Sequence, residues 1–292
     1  MQRVRRGFSL VELLVVTAIM GVLLGIALPA LTSARRRARS VLNTNNQRNV
    51  VDGVTNYALD HDDRYPESVA TVGVQRGHWN WQEPMMLTGF RSRSPRHFRS
   101  MGAYLGEYIG DAETMTCPSA PGGYPYLREV WQAGNSWDHP DTLSRNDPVY
   151  GTYCFYWNYL GYLDDSRVPF TGPRKLSEGR RKSTMLISDY FGYDHWRCRD
   201  AFSSCEDFED AEVTEGTVVS SPFWSWVPGG ECADGEGLEI ELRAGYTDGH
   251  VESYGAQHVV PMWVSITKDG TVPYPAGVGP GAIYVPLNSL HR

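Results

Sequence analysis

Nineteen consecutive residues, Leu13 to Leu31, carry no charge. As a helix rising about 1.5 Å per residue, such a run covers about 28 Å, close to the roughly 30 Å hydrocarbon core of a bilayer. It follows a single carboxylate, Glu12, and a basic stretch containing Arg3, Arg5 and Arg6. A carboxylate within a membrane-length helix costs about 2.5–3.5 kcal/mol on insertion scales, so Glu12 is expected to have a partner and a function. This segment constrains the rest: it predicts a lipid- or protein-sheathed helix, with the remaining residues folding outside it.

The residues alone admit three readings of the segment. A secretory signal peptide would use the three arginines as its basic region and Ala27-Leu28-Pro29-Ala30 or Thr32-Ser33-Ala34 as its cleavage site. The apolar run, however, exceeds the usual length of about 7–15 residues, and Glu12 interrupts its start. A plain signal anchor needs neither Gly7-Phe8 nor Glu12. The third reading uses all of them. The block Arg5-Arg6-Gly7-Phe8-Ser9-Leu10-Val11-Glu12 resembles the prepilin cleavage and methylation site of type IV pilins and type II secretion pseudopilins.

That resemblance implies cleavage by a prepilin peptidase after Gly7 and methylation of the new N-terminus at Phe8. It also implies that Glu12 pairs with the Phe8 ammonium of a neighbouring subunit, neutralising two costly charges in an apolar bundle. Pro29 falls where the family's helix carries a kink-forming proline. Gly21 and Gly25 lie four apart, a small-xxx-small pattern that lets helices approach closely or that reflects how common glycine is in membrane helices. The implied organisation is a leader over 1–7, a membrane and filament-core helix over 8–31, its continuation over 32–61 and an extracytoplasmic body over 62–292. The implied location is the inner membrane, single-pass with the N-terminus cytoplasmic, and then a pilus or pseudopilus. Charge does not set that orientation, because Arg35, Arg36, Arg37 and Arg39 follow the span and outnumber the three arginines before it.

Charge is divided unevenly. Residues 1–61 hold eight Arg and three acids (Glu12, Asp52, Asp60), or +5; the remainder holds 19 basic and 31 acidic residues, or −12. So acidic a body argues against nucleic acid as a partner. The five cysteines, Cys117, Cys154, Cys198, Cys205 and Cys232, contain no C-x-x-C pair, which weakens zinc and thioredoxin-like readings. Outside the cytoplasm one or two disulfides are expected, with Cys198–Cys205 the closest pair and one thiol left over or bonded to another chain.

The pattern predicts that the helix continues to about His61. Val41, Val50, Val51, Val54, Tyr57 and Ala58 form a partial apolar stripe, with Asn, Gln and Arg on the other face. Gly53 is tolerated inside it at a cost of about 1 kcal/mol. Asp62-Asp63 and Tyr65-Pro66 end it, and this segment resembles the helix end of major pseudopilins. A loop is expected over 67–98, a short helix near Met101–Ile109 and irregular chain over 118–147. Strands are expected within Val149–Leu163, at Thr184–Asp189 and around Leu238, Ile240 and Leu242, whose alternation with Glu239, Glu241 and Arg243 predicts a half-buried strand. Asp248-Gly249 predicts a tight hairpin between Ala244–Thr247 and His250–Tyr254. Lys268-Asp269-Gly270 predicts another between Met262–Thr267 and Thr271–Tyr274. The fold class is α+β and pilin-like: one long N-terminal helix packed on an antiparallel sheet of about four strands or more, with large loops.

Tyr246-Thr247-Asp248-Gly249-His250-Val251 resembles the Asp-Gly-His-Val hairpin of a family of large bacterial pilin-like proteins, which also has a Cys-Pro after a short helix and an Asp ending a central strand, here Cys117-Pro118 and Asp189. Many members place a histidine ten residues before the hairpin aspartate; Leu238 stands there, so no role of that histidine carries over.

The sequence holds no Gly-x-Ser-x-Gly, His-Glu-x-x-His, Walker loop or dinucleotide fingerprint. Asp194–His195 and Asp248–His250 read as turn formers rather than acid–base pairs. Calcium is the cofactor to consider, since Asp200, Glu206, Asp207, Glu209, Asp210 and Glu212 crowd one loop, although a solvated acidic loop is the simpler account. Trp79, Trp81, Trp224 and Trp226 read as filling a loop-rich core before they read as a glycan surface. The expectation is therefore a non-enzymatic filament subunit whose partners are other pilin or pseudopilin subunits, prepilin peptidase and the inner membrane. A body of about 230 residues favours a minor one. The competing class is a membrane-anchored or secreted extracytoplasmic binding protein or enzyme with an unrelated signal or anchor.

Overall fold

The computed structural model describes residues 10–70, 84–88, 99–118, 126–137, 149, 151–163, 168–178, 183–193, 202–203, 242–255, 258–264 and 281–287. It consists of a long helix α1 (Leu10–Asp60), two short helices α2 (Gly102–Leu105) and α3 (Leu127–Ala133) flanking a 3-10 turn at Ala112–Met115, and ten strands among the described residues. The strands are β1 (Tyr153–Phe155), β2 (Leu160–Leu163), β3 (Val168–Thr171), β4 (Met185–Asp189) and β5 (Phe191–Tyr193), followed by β6 (Phe202–Ser203), β7 (Leu242–Tyr246), β8 (Val251–Tyr254), β9 (Val259–Val264) and β10 (Gly281–Pro286). The fold is α+β. It divides into two units, Met1–Leu42 and Asn43–Arg292.

In the first unit α1 presents its apolar side chains outward: Leu13 is 61% exposed and Ile26 71%. The helix continues through Pro29, whose missing N–H removes one backbone bond and whose ring crowds the preceding turn. Thr17 and Thr32 return their hydroxyls to the carbonyls of Leu14 and Leu28, each at 3.0 Å, so neither needs a solvent partner.

The second unit holds the core. Here α1 buries Asn43, Gln47, Val50, Val51, Gly53, Val54 and Ala58. Apart from Gly53, these positions repeat every three or four residues, the spacing of one helix face. The stripe expected from sequence is corrected at its N-terminal end: Val41 is exposed, whereas Asn43 and Gln47, assigned to the wet face, are buried. Gly53 is more than tolerated, since a Cβ there would lie 2.5 Å from Ile109 Cγ1. The helix ends as expected. Asp62 and Asp63 adopt positive φ of 54° and 68°, and Asp63 N–H donates to Ala58 O at 3.0 Å, closing the last turn in a left-handed cap. The Asp63 carboxylate accepts from Ser177 N–H at 3.1 Å and from the Ser177 hydroxyl.

Two antiparallel sheets follow. The four-stranded sheet runs β1-β4-β7-β8 and the six-stranded sheet β3-β2-β9-β10-β5-β6. Both β4 and β7 are buried at every residue, so the half-buried alternation is corrected at Arg243, which is 5% exposed; residues 238–241 lie outside the described residues. Gly245 makes this burial feasible, because a Cβ there would come within 2.9 Å of both Ile187 and Val51 side chains. The β7–β8 hairpin pairs Gly245 with Val251, while Gly249 N–H donates to Tyr246 O at 2.9 Å and Tyr246 N–H to His250 O at 3.0 Å. The loop is therefore three residues, Thr247-Asp248-Gly249, rather than two, with Gly249 at φ 87°. That is the form in which a left-handed glycine returns the chain to its ladder.

Residues 118–147 are not wholly irregular, since α3 lies among them with Val130 and Trp131 buried. Gly102 of α2 leaves the space through which the Trp131 carbonyl passes. A helix of two turns shows too little periodicity to be legible. Strand β9 pairs along its length with β10; the turn and strand expected at 268–274 lie outside the described residues. Cys117 is disulfide-bonded and Cys154 is a buried thiol; the expected Cys198–Cys205 pair lies outside the described residues.

Candidate functional site

Of the residues singled out from sequence, Gly7 and Phe8 lie outside the described residues. Glu12 occupies the first turn of α1, where a carboxylate is favoured by the helix dipole. Nothing lies within 4 Å of where a Cβ would stand at Gly21 or Gly25. Contacts among the described residues therefore give no reason for glycine at either position. Gly21 and Gly25 are about 40° apart around the helix, and Glu12 lies about 180° from Gly21.

The second unit contains a polar site built where α1 meets the four-stranded sheet. Asp189, the last residue of β4, is 2% exposed. Its Oδ1 accepts from Asn43 Nδ2 at 2.9 Å and from Gln47 Nε2 at 2.7 Å, both from α1. Its Oδ2 accepts the Arg243 backbone N–H at 2.9 Å and faces the Arg243 guanidinium at 3.7 Å. Tyr153 of β1 places its hydroxyl 2.6 Å from Asn43 Oδ1 and 2.9 Å from Thr116 O. Asn46 Nδ2 donates to the same Thr116 carbonyl at 2.9 Å, and Cys117 N–H donates to the Thr152 hydroxyl at 2.7 Å. One helix, three strands and the Thr116-Cys117 segment thus converge on one carboxylate.

Burial raises the Asp189 carboxyl from 3.8 to about 6, against the opposing pull of Asn43, Arg243 and Gln47. Burial likewise pushes the Tyr153 hydroxyl well up, with the Asp189 charge adding to it. A buried carboxylate surrounded by donors fixes register and orientation, because displacing α1 by one residue strands it. The sequence noted Asp189 only through a family resemblance and overlooked its ligands. The signal was present: Asn43 and Gln47 are spaced i, i+4, in phase with Val50, Val51, Val54 and Ala58.

The hairpin histidine has the structural explanation expected of it. His250 stacks on Tyr246 with ring centroids 4.4 Å apart, and its Nδ1 contacts Asp248 Oδ1. Tyr254 donates to Glu252 at 2.7 Å, and the Tyr246 and Tyr254 hydroxyls are 2.7 Å apart. Slight burial would raise the Asp248 carboxyl, but hydrogen bonds from His250 outweigh it and lower the group. Asp194, His195 and the acidic residues Asp200, Glu206, Asp207, Glu209, Asp210 and Glu212 lie outside the described residues.

Residues 2–28 match the family model described as the prokaryotic N-terminal methylation motif. Two type IV major pilin proteins PilE1 of Neisseria gonorrhoeae are each 36% identical to the chain over 77 residues, which is 25% of the chain and 44% and 41% of the respective relatives. The match covers less than half of each relative's length. No solved structure gives a significant match. The chain thus carries a prepilin-type methylation motif on an α+β pilin-like fold and is similar to type IV pilins in part of its length. The motif and the exposed apolar helix fit membrane anchoring.

Proposed function

We propose that this chain is a structural subunit of a type IV pilus or a type II secretion pseudopilus rather than an enzyme. It is made as a precursor, inserted in the inner membrane with its N-terminus cytoplasmic, cut by prepilin peptidase after Gly7 and methylated at Phe8. The leader is 1–7, the membrane and filament-core helix 8–31, its continuation 32–61 and the extracytoplasmic body 62–292. In the filament the apolar side chains of α1 are covered by the same helix of other subunits, Gly21 and Gly25 allow close approach, Pro29 softens the helix, and Glu12 meets a neighbour's Phe8 ammonium. The observation that carries this reading is the coincidence of the methylation motif over 2–28 with a helix whose apolar residues are exposed from Leu10 to Leu31. Burying that surface is the driving force of assembly once the subunit leaves the bilayer.

Mass spectrometry of the membrane-extracted protein tests the reading. The expected N-terminus is N-methylated Phe8; a chain starting at Met1 or beyond Ala30 overturns it.

A further inference from the structure

Four arginines, Arg35, Arg36, Arg37 and Arg39, stand within one and a half turns of α1, and all are exposed. The filament reading gives them no role, and the positive-inside tendency opposes their position. Between Glu12 and Asp52 the sequence has no acid, so no carboxylate at i±3 or i±4 offsets this run of positive charge along the helix. Around the helix, at about 100° per residue, they spread over about 200° of the circumference. A single protein partner engages one face of a helix; lipid surrounds it. Along the axis they occupy about 6 Å, beginning about 6 Å beyond Leu31. That matches the depth of one headgroup layer, about 5–7 Å, at the end of a hydrocarbon-length run.

We propose that these arginines form a collar that binds the phosphates of anionic phospholipids in the leaflet from which the body emerges. This rests on the membrane-spanning reading of α1. Guanidinium groups suit the task, since their planar forks engage phosphate oxygens in pairs and their aliphatic stems cover the apolar boundary below. The collar holds the subunit at a defined depth before assembly and resists its withdrawal into the membrane.

The test uses the full-length protein in vesicles of equimolar phosphatidylglycerol and phosphatidylcholine, followed by mild detergent extraction and mass spectrometry of the retained lipid. The expected result is enrichment of phosphatidylglycerol that falls about tenfold when all four arginines are changed to Gln. Resistance of the variant to alkaline extraction is expected to be unchanged. No enrichment in the wild type, or equal enrichment in the variant, overturns the proposal. So does displacement of the lipid by millimolar inorganic phosphate at constant ionic strength, which assigns the collar to free anions. A crosslink from position 36 or 37 to an acidic body of a second copy, without lipid enrichment, assigns it to protein. Alkaline extraction of the wild type itself fails the membrane reading instead, and is thereby distinguished.

Discussion

Gln47 of α1 donates to Asp189 Oδ1 at the end of β4, 2.7 Å away and out of contact with solvent. This contact, with Asn43 one turn earlier, ties the helix to the sheet at a single register. Changing Asp189 to Ala removes at once the acceptor of the Asn43 and Gln47 amides and of the Arg243 backbone N–H, at a cost of about 3–5 kcal/mol. Gln47→Ala removes one donor to a charged acceptor, at about 1.5–3 kcal/mol. Thermal or urea unfolding of the full-length protein in detergent should rank the two in that order; equal stabilities would remove Asp189 from the centre of the junction.

Stability should depend on pH through the same carboxyl. Its folded value, about 6, lies above its ordinary 3.8 because burial disfavours the charge. The folded state therefore holds the proton more tightly than the unfolded chain. The stabilisation is fully present below about 3.8 and is lost as pH rises through about 6, a change of about 3 kcal/mol. Unfolding of the wild type and of Asp189→Asn between those values should differ in slope, the variant lacking this contribution. Parallel profiles would show that Asp189 titrates in the folded state as it does in the unfolded chain.

Glycines divide into two kinds. At Gly245 and Gly53 a Cβ would strike the side chains of Val51 and Ile187, or of Ile109. Gly245→Ala and Gly53→Ala should each destabilise the body by about 1–3 kcal/mol. At Gly21 and Gly25 the space is open, so alanine should leave the isolated subunit as stable or raise helix stability by up to about 1 kcal/mol. A fall in filament yield for Gly21→Ala with unchanged subunit stability would locate its role between chains, and an unchanged yield would deny it one.

Processing and assembly should separate. Gly7→Ala is expected to leave an uncut precursor, visible as an unchanged N-terminal mass. On the proposed pairing, Glu12→Ala should be cut and methylated normally yet assemble poorly, because it would leave the neighbouring Phe8 ammonium in the bundle without its counter-charge. Normal filament yield from Glu12→Ala would refute the pairing.

Where the sequence was legible, a local rule acted without competition. The end of α1 followed from Asp62, Asp63 and Pro66, β4 from Met185-Leu186-Ile187, and the hairpin from Gly249. Its failures have several causes. Asn43, Gln47 and Arg243 were placed on wet faces by their polarity, and a buried carboxylate far along the chain, 142 residues beyond Gln47, reverses that preference. Alternation at Leu242 and Arg243 signals one covered face, whereas β7 is covered on both. The loop length of the hairpin and the helix α3 were missed because two turns or one extra residue carry little periodic signal. Pairing of β9 with β10 spans 265–280, whose turn signals fit more than one partner.

Asn43 and Gln47 are the first buried residues of α1, and beyond them the helix has its hydrophobic footing in Val50, Val51 and Val54. In the proposed filament, tension between subunits would reach each body through this entry point. The charge-assisted bonds to Asp189 then lie at the front of the loaded contact, with stiff β-branched side chains behind them. Strength under pulling is accordingly set less by the total buried area than by how many of these few bonds must break at once, and a subunit lacking Asp189 should yield at lower force.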